Sequence, residues 1–150
     1  MRAVIQRVRY AHLRLDEENK RSIDHGLLVL LGIEKGDTQE DTRWLCRKIT
    51  NMRIFADKDG LMNLSVNEIH GQIMLVSQFT LHASTKKGNR PSWIKAAEPA
   101  KAEPLYNDFV KELEGLLSSE LVTGKFGAMM QIEILNDGPV TIIIDSKNKE

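Results

Sequence analysis

The chain has 150 residues, 41% of them hydrophobic, and its 21 Lys and Arg balance its 21 Asp and Glu. That composition supports one domain with a real hydrophobic core and excludes a disordered chain. Zero formal net charge argues against a strongly basic nucleic-acid module, although a local cationic patch stays compatible with RNA.

In chain order, "AVIQRVRY" at 3–10 alternates, with Val4, Gln6, Val8 and Tyr10 in one phase and Ile5, Arg7 and Arg9 in the other, which predicts a half-buried strand. "HLRLD" continues as a second strand and "EENKR" at 17–21 is a solvated turn. "GLLVLLGI" at 26–33 is apolar without alternation, as in a strand buried on both faces. A helix follows, capped by Thr38 with Asp41 as the capping-box acid; Trp44, Leu45, Ile49 and Met52 fall on one face. "RIF" is a short strand, "ADKDG" a turn, and "QIMLVSQFTL" at 72–81 a long central strand. "HASTKKGNRPSW" is a loop rich in turn formers that carries Lys86, Lys87 and Arg90.

A second helix after Pro99 has Leu105, Phe109, Leu113 and Leu116 at helical steps. "MMQIEIL" is a strand, "NDGP" a turn, "VTIIID" the last strand, and the tail from 146 to 150 is expected to fray. Residues 1–150 thus read as a single α/β (α+β) domain: a largely antiparallel, barrel-like sheet with two main helices.

Several familiar sites are missing from this sequence. "DKDG" at 57–60 lacks the later ligands and the terminal acid of a calcium loop. His12, His25, His70 and His82 have no partner at metal-ligand spacing, so no metal is expected. Cys46, the only cysteine, excludes an internal disulfide, fits a reducing cytoplasm, and sits mid-helix as a buried thiol. The Met129–Met130 pair reads as core. No nucleophile elbow is present. The first residues carry no secretory pattern, and the apolar run Leu27 to Leu31 is too short to cross a bilayer. A cytoplasmic protein with no membrane contact is expected.

What stands out is "LVSQFTL", where Ser77, Gln78 and Thr80 surround Phe79 with no charge. Alone, these are side chains that any strand shows to water. Together with "NDGPVT" at 136–141 they resemble the D-aminoacyl-tRNA deacylases of the bacterial and eukaryotic type. "IQRV", "GLLVLLGIEKGD", "RIFAD", "MNLSV", "RPSW" and "TGKFGAMM" follow in family order over nearly the whole chain. His82 stands where a small residue is common and Trp93 where phenylalanine is common; both are expected at the pocket rim.

The resemblance implies the fold, a homodimer, and hydrolysis of the ester between a D-amino acid and the 3′ end of tRNA, with action on glycyl-tRNA(Ala) and no cofactor. It implies that Ser77, Gln78, Phe79 and Thr80 form the catalytic segment, with backbone amides near Phe79 and Thr80 as oxyanion donors. Gly138 and Pro139, through a cis bond, would form a chiral filter reaching into the partner subunit. Arg7 would brace that motif and Met130 would wall the pocket. Two rivals remain on the residues alone. One is a non-catalytic module that binds RNA ends, with Lys86, Lys87 and Arg90 on phosphates. The other is a hydrolase of free D-amino acid derivatives with Thr80 as nucleophile.

Overall fold

The computed structural model describes residues 1–16 and 19–149. Among them, β1 (Arg2–Arg14), β2 (Lys20–Ile23), β3 (Gly26–Gly32), β6 (Gln72–Ser77), β7 (Leu121–Thr123) and β8 (Gln131–Asp145) make one sheet. A small ladder joins β4 (Phe55–Ala56) to β5 (Met62–Leu64), and the helices are α1 (Gln39–Asn51) and α2 (Pro99–Leu116).

β1 is one long strand rather than two. Along one edge it pairs with β3 and then with β2, both antiparallel, and along the other it pairs with β8. β3–β6 and β6–β7 are parallel, so the sheet is mixed on that side. It curls enough for Arg21 of β2 to donate to the Thr123 carbonyl of β7. The turn expected at 17–21 falls partly on residues 17 and 18, outside the described residues; Lys20 and Arg21 already belong to β2.

Side chains of β3 and β6 alternate between two cores. Leu27, Val29, Leu31, Ile73 and Leu75 meet the helices through Leu45, Ile49, Phe109 and Leu113. Leu28, Met74 and Val76 point the other way, to Val8, Ala11 and Leu13. β1 serves both cores in turn: Ala3 and Ile5 face the helices, and Val8, Ala11 and Leu13 face away. A strand of period two cannot do this without a register break. The alternation expected from 3 holds through Val8 and shifts phase at Arg9, the extra residue between the pairs Val8↔Asn136 and Tyr10↔Leu135; a second irregularity, between Gln6 and Val8, puts its extra residues on β8.

Two expected boundaries move. β6 stops at Ser77, and Phe79–His82 is a 3-10 turn, not the end of a strand. The Gln78 amide still donates to Leu31 O (2.7 Å), but Leu81 N–H donates to Gln78 O (3.2 Å), which winds the chain out of the sheet. "NDGP" does not reverse the chain. It lies inside β8, whose two halves pair with the same strand β1.

α1 begins as expected, with the Thr38 amide on Asp41 Oδ2 (2.9 Å). The tail at 146–149 is anchored rather than frayed. Ser146 is buried and its hydroxyl donates to Asp41 (2.7 Å), Lys147 reaches Asp41 (2.7 Å), and Lys149 lies over the Trp44 ring. Burial alone would raise the Asp41 pKa, but the hydrogen bonds from Lys147, Ser146 and Thr38 hold it well below the usual carboxylate range.

Gly26, at the start of β3, is where β6 approaches most closely. A Cβ there would lie 1.9 Å from the Gln72 carbonyl oxygen, a backbone atom that cannot swing aside. Gly26→Ala should therefore destabilise the fold by about 1–3 kcal/mol, read as a lower urea midpoint; an unchanged midpoint would rule out the close approach.

Candidate active site

At the C-terminal end of β6 the chain opens into a cleft of about 1020 Å³. Its floor is Leu31, Val76 and Ser77, its lip is Gln78 and Phe79, and its far wall is Met130, just before β8, with Ile132 of β8. Met130 fits because Gly124 has no side chain: a Cβ there would come within 2.7 Å of the Met130 sulfur. Its neighbour Met129 is 91% exposed, so only one of the two methionines packs inward, against the expectation that both are core.

The 3-10 turn determines what the lip can do. Its i→i+3 bonds begin with Leu81 N–H on Gln78 O and Ala83 N–H on Thr80 O. The amides of Phe79 and Thr80 come before that ladder, and neither is hydrogen-bonded to any acceptor among the described residues. Helix starts leave such donors free for a ligand. The Gln78 side-chain amide donates to the Thr80 hydroxyl. Among the described residues no His, Asp, Glu or Lys is hydrogen-bonded to that hydroxyl, so none of them is bonded in place to take its proton.

Phe79 is 55% exposed and meets Trp93 edge to face, with ring centroids 5.6 Å apart. Trp93 lines the cleft as expected, but His82 does not. It is buried beneath the turn, with Nδ1 3.8 Å from Glu34, because Gly32 leaves room for its ring.

Gly138 and Pro139 are exposed and lie apart from the cleft of their own chain. Their peptide bond is cis. Between the pairs Gln6↔Thr141 and Val8↔Asn136, β1 has one residue, Arg7, and β8 has four, 137–140, so the motif bows out of the ladder. Arg7 holds its base, with Nε on Asp137 O (3.1 Å) and on Asp137 Oδ2 (3.0 Å), and its other arm on the Ile54 carbonyl. Arg9 (3.1 Å) and His25 (3.6 Å) also face the Asp137 carboxylate. Sequence reasoning missed both of these and Asp137 itself, which sits within the quoted motif and was the available signal. The candidate residues thus form two groups: Ser77, Gln78, Phe79 and Met130 line the cleft, with Thr80 following in the 3-10 turn, and Arg7, Gly138 and Pro139 lie away from it.

The other candidates are occupied structurally. Burial pushes the Cys46 thiol pKa up, and Sγ rests 3.7 Å from Phe109 O, which makes the thiol a poor nucleophile. Asp57 accepts from Asn63 (2.7 Å) and from the amides of Leu61 (3.0 Å) and Asp59 (2.9 Å), so its carboxylate closes the turn. Among the described residues no three His, Cys, Asp or Glu side chains gather to hold a metal ion, and no helix is long and apolar enough to cross a membrane.

Comparison with known proteins finds a family model described as D-Tyr-tRNA(Tyr) deacylase matching residues 4–145. The chain is 61% identical to a D-aminoacyl-tRNA deacylase of Parabacteroides distasonis and 57% identical to one of Bacteroides fragilis, each over 150 residues and the full length of both proteins. A solved structure named c-Myc DNA Unwinding Element Binding Protein superposes with a TM-score of 0.90 at 41% identity, covering 97% of this chain and 98% of that one.

Proposed function

The chain belongs to the D-Tyr-tRNA(Tyr) deacylase family, and on that premise we propose how its own residues perform the reaction. It is a hydrolase that breaks the ester between a D-amino acid and tRNA, releasing the amino acid and the tRNA. The oxygen of a water adds to the ester carbonyl, the carbonyl oxygen becomes an anion, the bond to the ribose oxygen breaks, and that oxygen takes the proton. The ester is already activated, so holding it in place and stabilising the oxyanion are the main tasks.

The observation that carries the proposal is the pair of unengaged amides at Phe79 and Thr80 beside the cleft. They receive the oxyanion. Ser77 and Gln78 brace the ester, with Gln78 also fixing the Thr80 hydroxyl. The terminal ribose hydroxyl of the substrate orients the water, so Thr80 is not the nucleophile.

Handedness needs a second part. D- and L-amino acids carry the same groups, so only a clash built against one hand separates them. Gly138 and Pro139 supply it from a second copy of the chain, inserting their backbone carbonyls into the partner's cleft. Two features support this: the motif lies apart from its own cleft, and β8 is a sheet edge with Leu135 and Ile143 exposed. A two-fold homodimer places both motifs equivalently. Glycine has no side chain to clash, so glycyl-tRNA(Ala) is a substrate too. The reaction takes place in the cytoplasm, where charged tRNA is used.

The purified chain should release D-amino acids from tRNA and spare matched L-aminoacyl-tRNA. Thr80→Ala should keep deacylation within about tenfold, since losing one auxiliary hydrogen bond costs roughly 0.5–1.5 kcal/mol. A folded but inactive Thr80→Ala, or a trapped acyl-enzyme, would restore Thr80 as the nucleophile.

Arg7→Ala tests the filter. It removes charged hydrogen bonds worth about 1.5–3 kcal/mol each from the base of the motif. The ratio of D to L efficiencies should fall by about tenfold or more, while the D reaction itself falls less. An unchanged ratio in a folded variant would move the filter elsewhere.

A further inference from the structure

Residues 83–97 carry Lys86, Lys87, Arg90 and Lys95 and no carboxylate, in a chain whose charges balance as a whole. All four cations are exposed, and none makes an ion pair among the described residues. Elsewhere on the surface Arg2, Arg9 and Lys147 do pair with carboxylates.

This segment has a definite shape. Ser84 and Ser92 exchange two backbone hydrogen bonds (2.8 and 2.9 Å), closing a small hairpin. Gly88 turns its tip at φ +74°, a conformation that favours glycine. The base is fastened to the body by Lys35 N–H on Lys95 O (3.1 Å) and Ala97 N–H on Ile33 O (3.0 Å). Where the hairpin joins the cleft, Trp93 stands 43% exposed beside Phe79.

Resting on the deacylase reading above, we infer that this cationic hairpin and the Trp93 indole hold the single-stranded nucleotides that precede the ester-bearing one. The lysines at the tip contact backbone phosphates, and the indole stacks on the base next to the terminal nucleotide. Cations that track phosphates, set beside an aromatic ring that takes any base, are the usual means of binding single strands. Charge complementarity selects this occupant: the segment repels no anion, and only a polyanion engages several unpaired cations at once. The substrate delivers such a strand to the cleft.

The test compares two substrates, full-length D-aminoacyl-tRNA and the D-aminoacyl ester of adenosine alone, which lacks the preceding phosphates. Lys86→Glu/Lys87→Glu should raise KM for the tRNA by about tenfold or more at about 50 mM salt, with kcat within about twofold. Its binding should depend less steeply on salt, by about 0.7 in log–log slope for each phosphate that the variant no longer neutralises. On the adenosine ester the variant should match the wild type. Trp93→Ala should raise KM for the tRNA by roughly 5- to 150-fold, and by less on the adenosine ester. Equal effects on both substrates, or none on the tRNA, would overturn the inference. If the wild type cleaves neither substrate, the deacylase reading fails instead. The hairpin is then judged by fluorescence anisotropy with a single-stranded RNA ending in the tRNA 3′ sequence. Binding about tenfold weaker in the lysine variant supports it, and equal binding rejects it.

Discussion

The constraint on which the rest of the structure depends is that β1 must serve two cores with one strand. Its first half buries Ala3 and Ile5 under the helices, and its second half buries Val8, Ala11 and Leu13 on the opposite side. Side chains alternate strictly along a strand, so the change of face needs irregular residues. β1 makes the change at Arg9, the extra residue between the pairs Val8↔Asn136 and Tyr10↔Leu135. Beside it, β8 bows residues 137–140 out opposite Arg7. The bow presents Gly138 and Pro139 to solvent on a rigid base, with the Asp137 carboxylate clasped by Arg7 and Arg9.

The same economy holds at the other end of the sheet. β6 is buried on both faces until Ser77, after which the chain turns out of the ladder. Leaving the ladder frees the backbone donors of Phe79 and Thr80. Under the proposed reaction a charged catalytic group would be unnecessary here, because amides fixed by a packed strand keep their orientation while charge develops on the substrate. Buried charges beside an apolar cleft of Leu31, Val76 and Ile132 would carry a desolvation cost that amides avoid. The cations Lys86, Lys87, Arg90 and Lys95 stand instead on the hairpin outside, exposed to water.

Much was legible in the sequence because it is local. The unbroken apolar run at 26–33 marks a strand buried on both faces, and Thr38 with Asp41 marks a helix start, since each signal depends on residues a few positions apart. The motifs "SQFTL" and "NDGPVT" were visible as strings, and with them the candidate residues Ser77, Gln78, Phe79, Thr80, Gly138 and Pro139. The end of β6 was misjudged, because Phe79 and Leu81 look as strand-like as Leu75 and Val76, and only the bond from Leu81 N–H to Gln78 O winds them into a turn.

The sequence by itself determined the class of the fold and the neutral character of the segment from Ser77 to Thr80, because composition and short-range pattern carry that information. Only the tertiary structure decided that "NDGP" bulges rather than turns. A turn and a bulge use the same residues, and the difference lies in whether the flanking strands share the partner β1, far away in the sequence. It alone turned His82 inward and Trp93 outward, since Gly32 and Phe79 set the space around them. It alone bound the tail at Ser146 to Asp41, since that bond spans 105 positions and no local pattern encodes it. And it alone set the cleft and Gly138–Pro139 apart in one chain, since their separation follows from sheet order and not from spacing along the sequence.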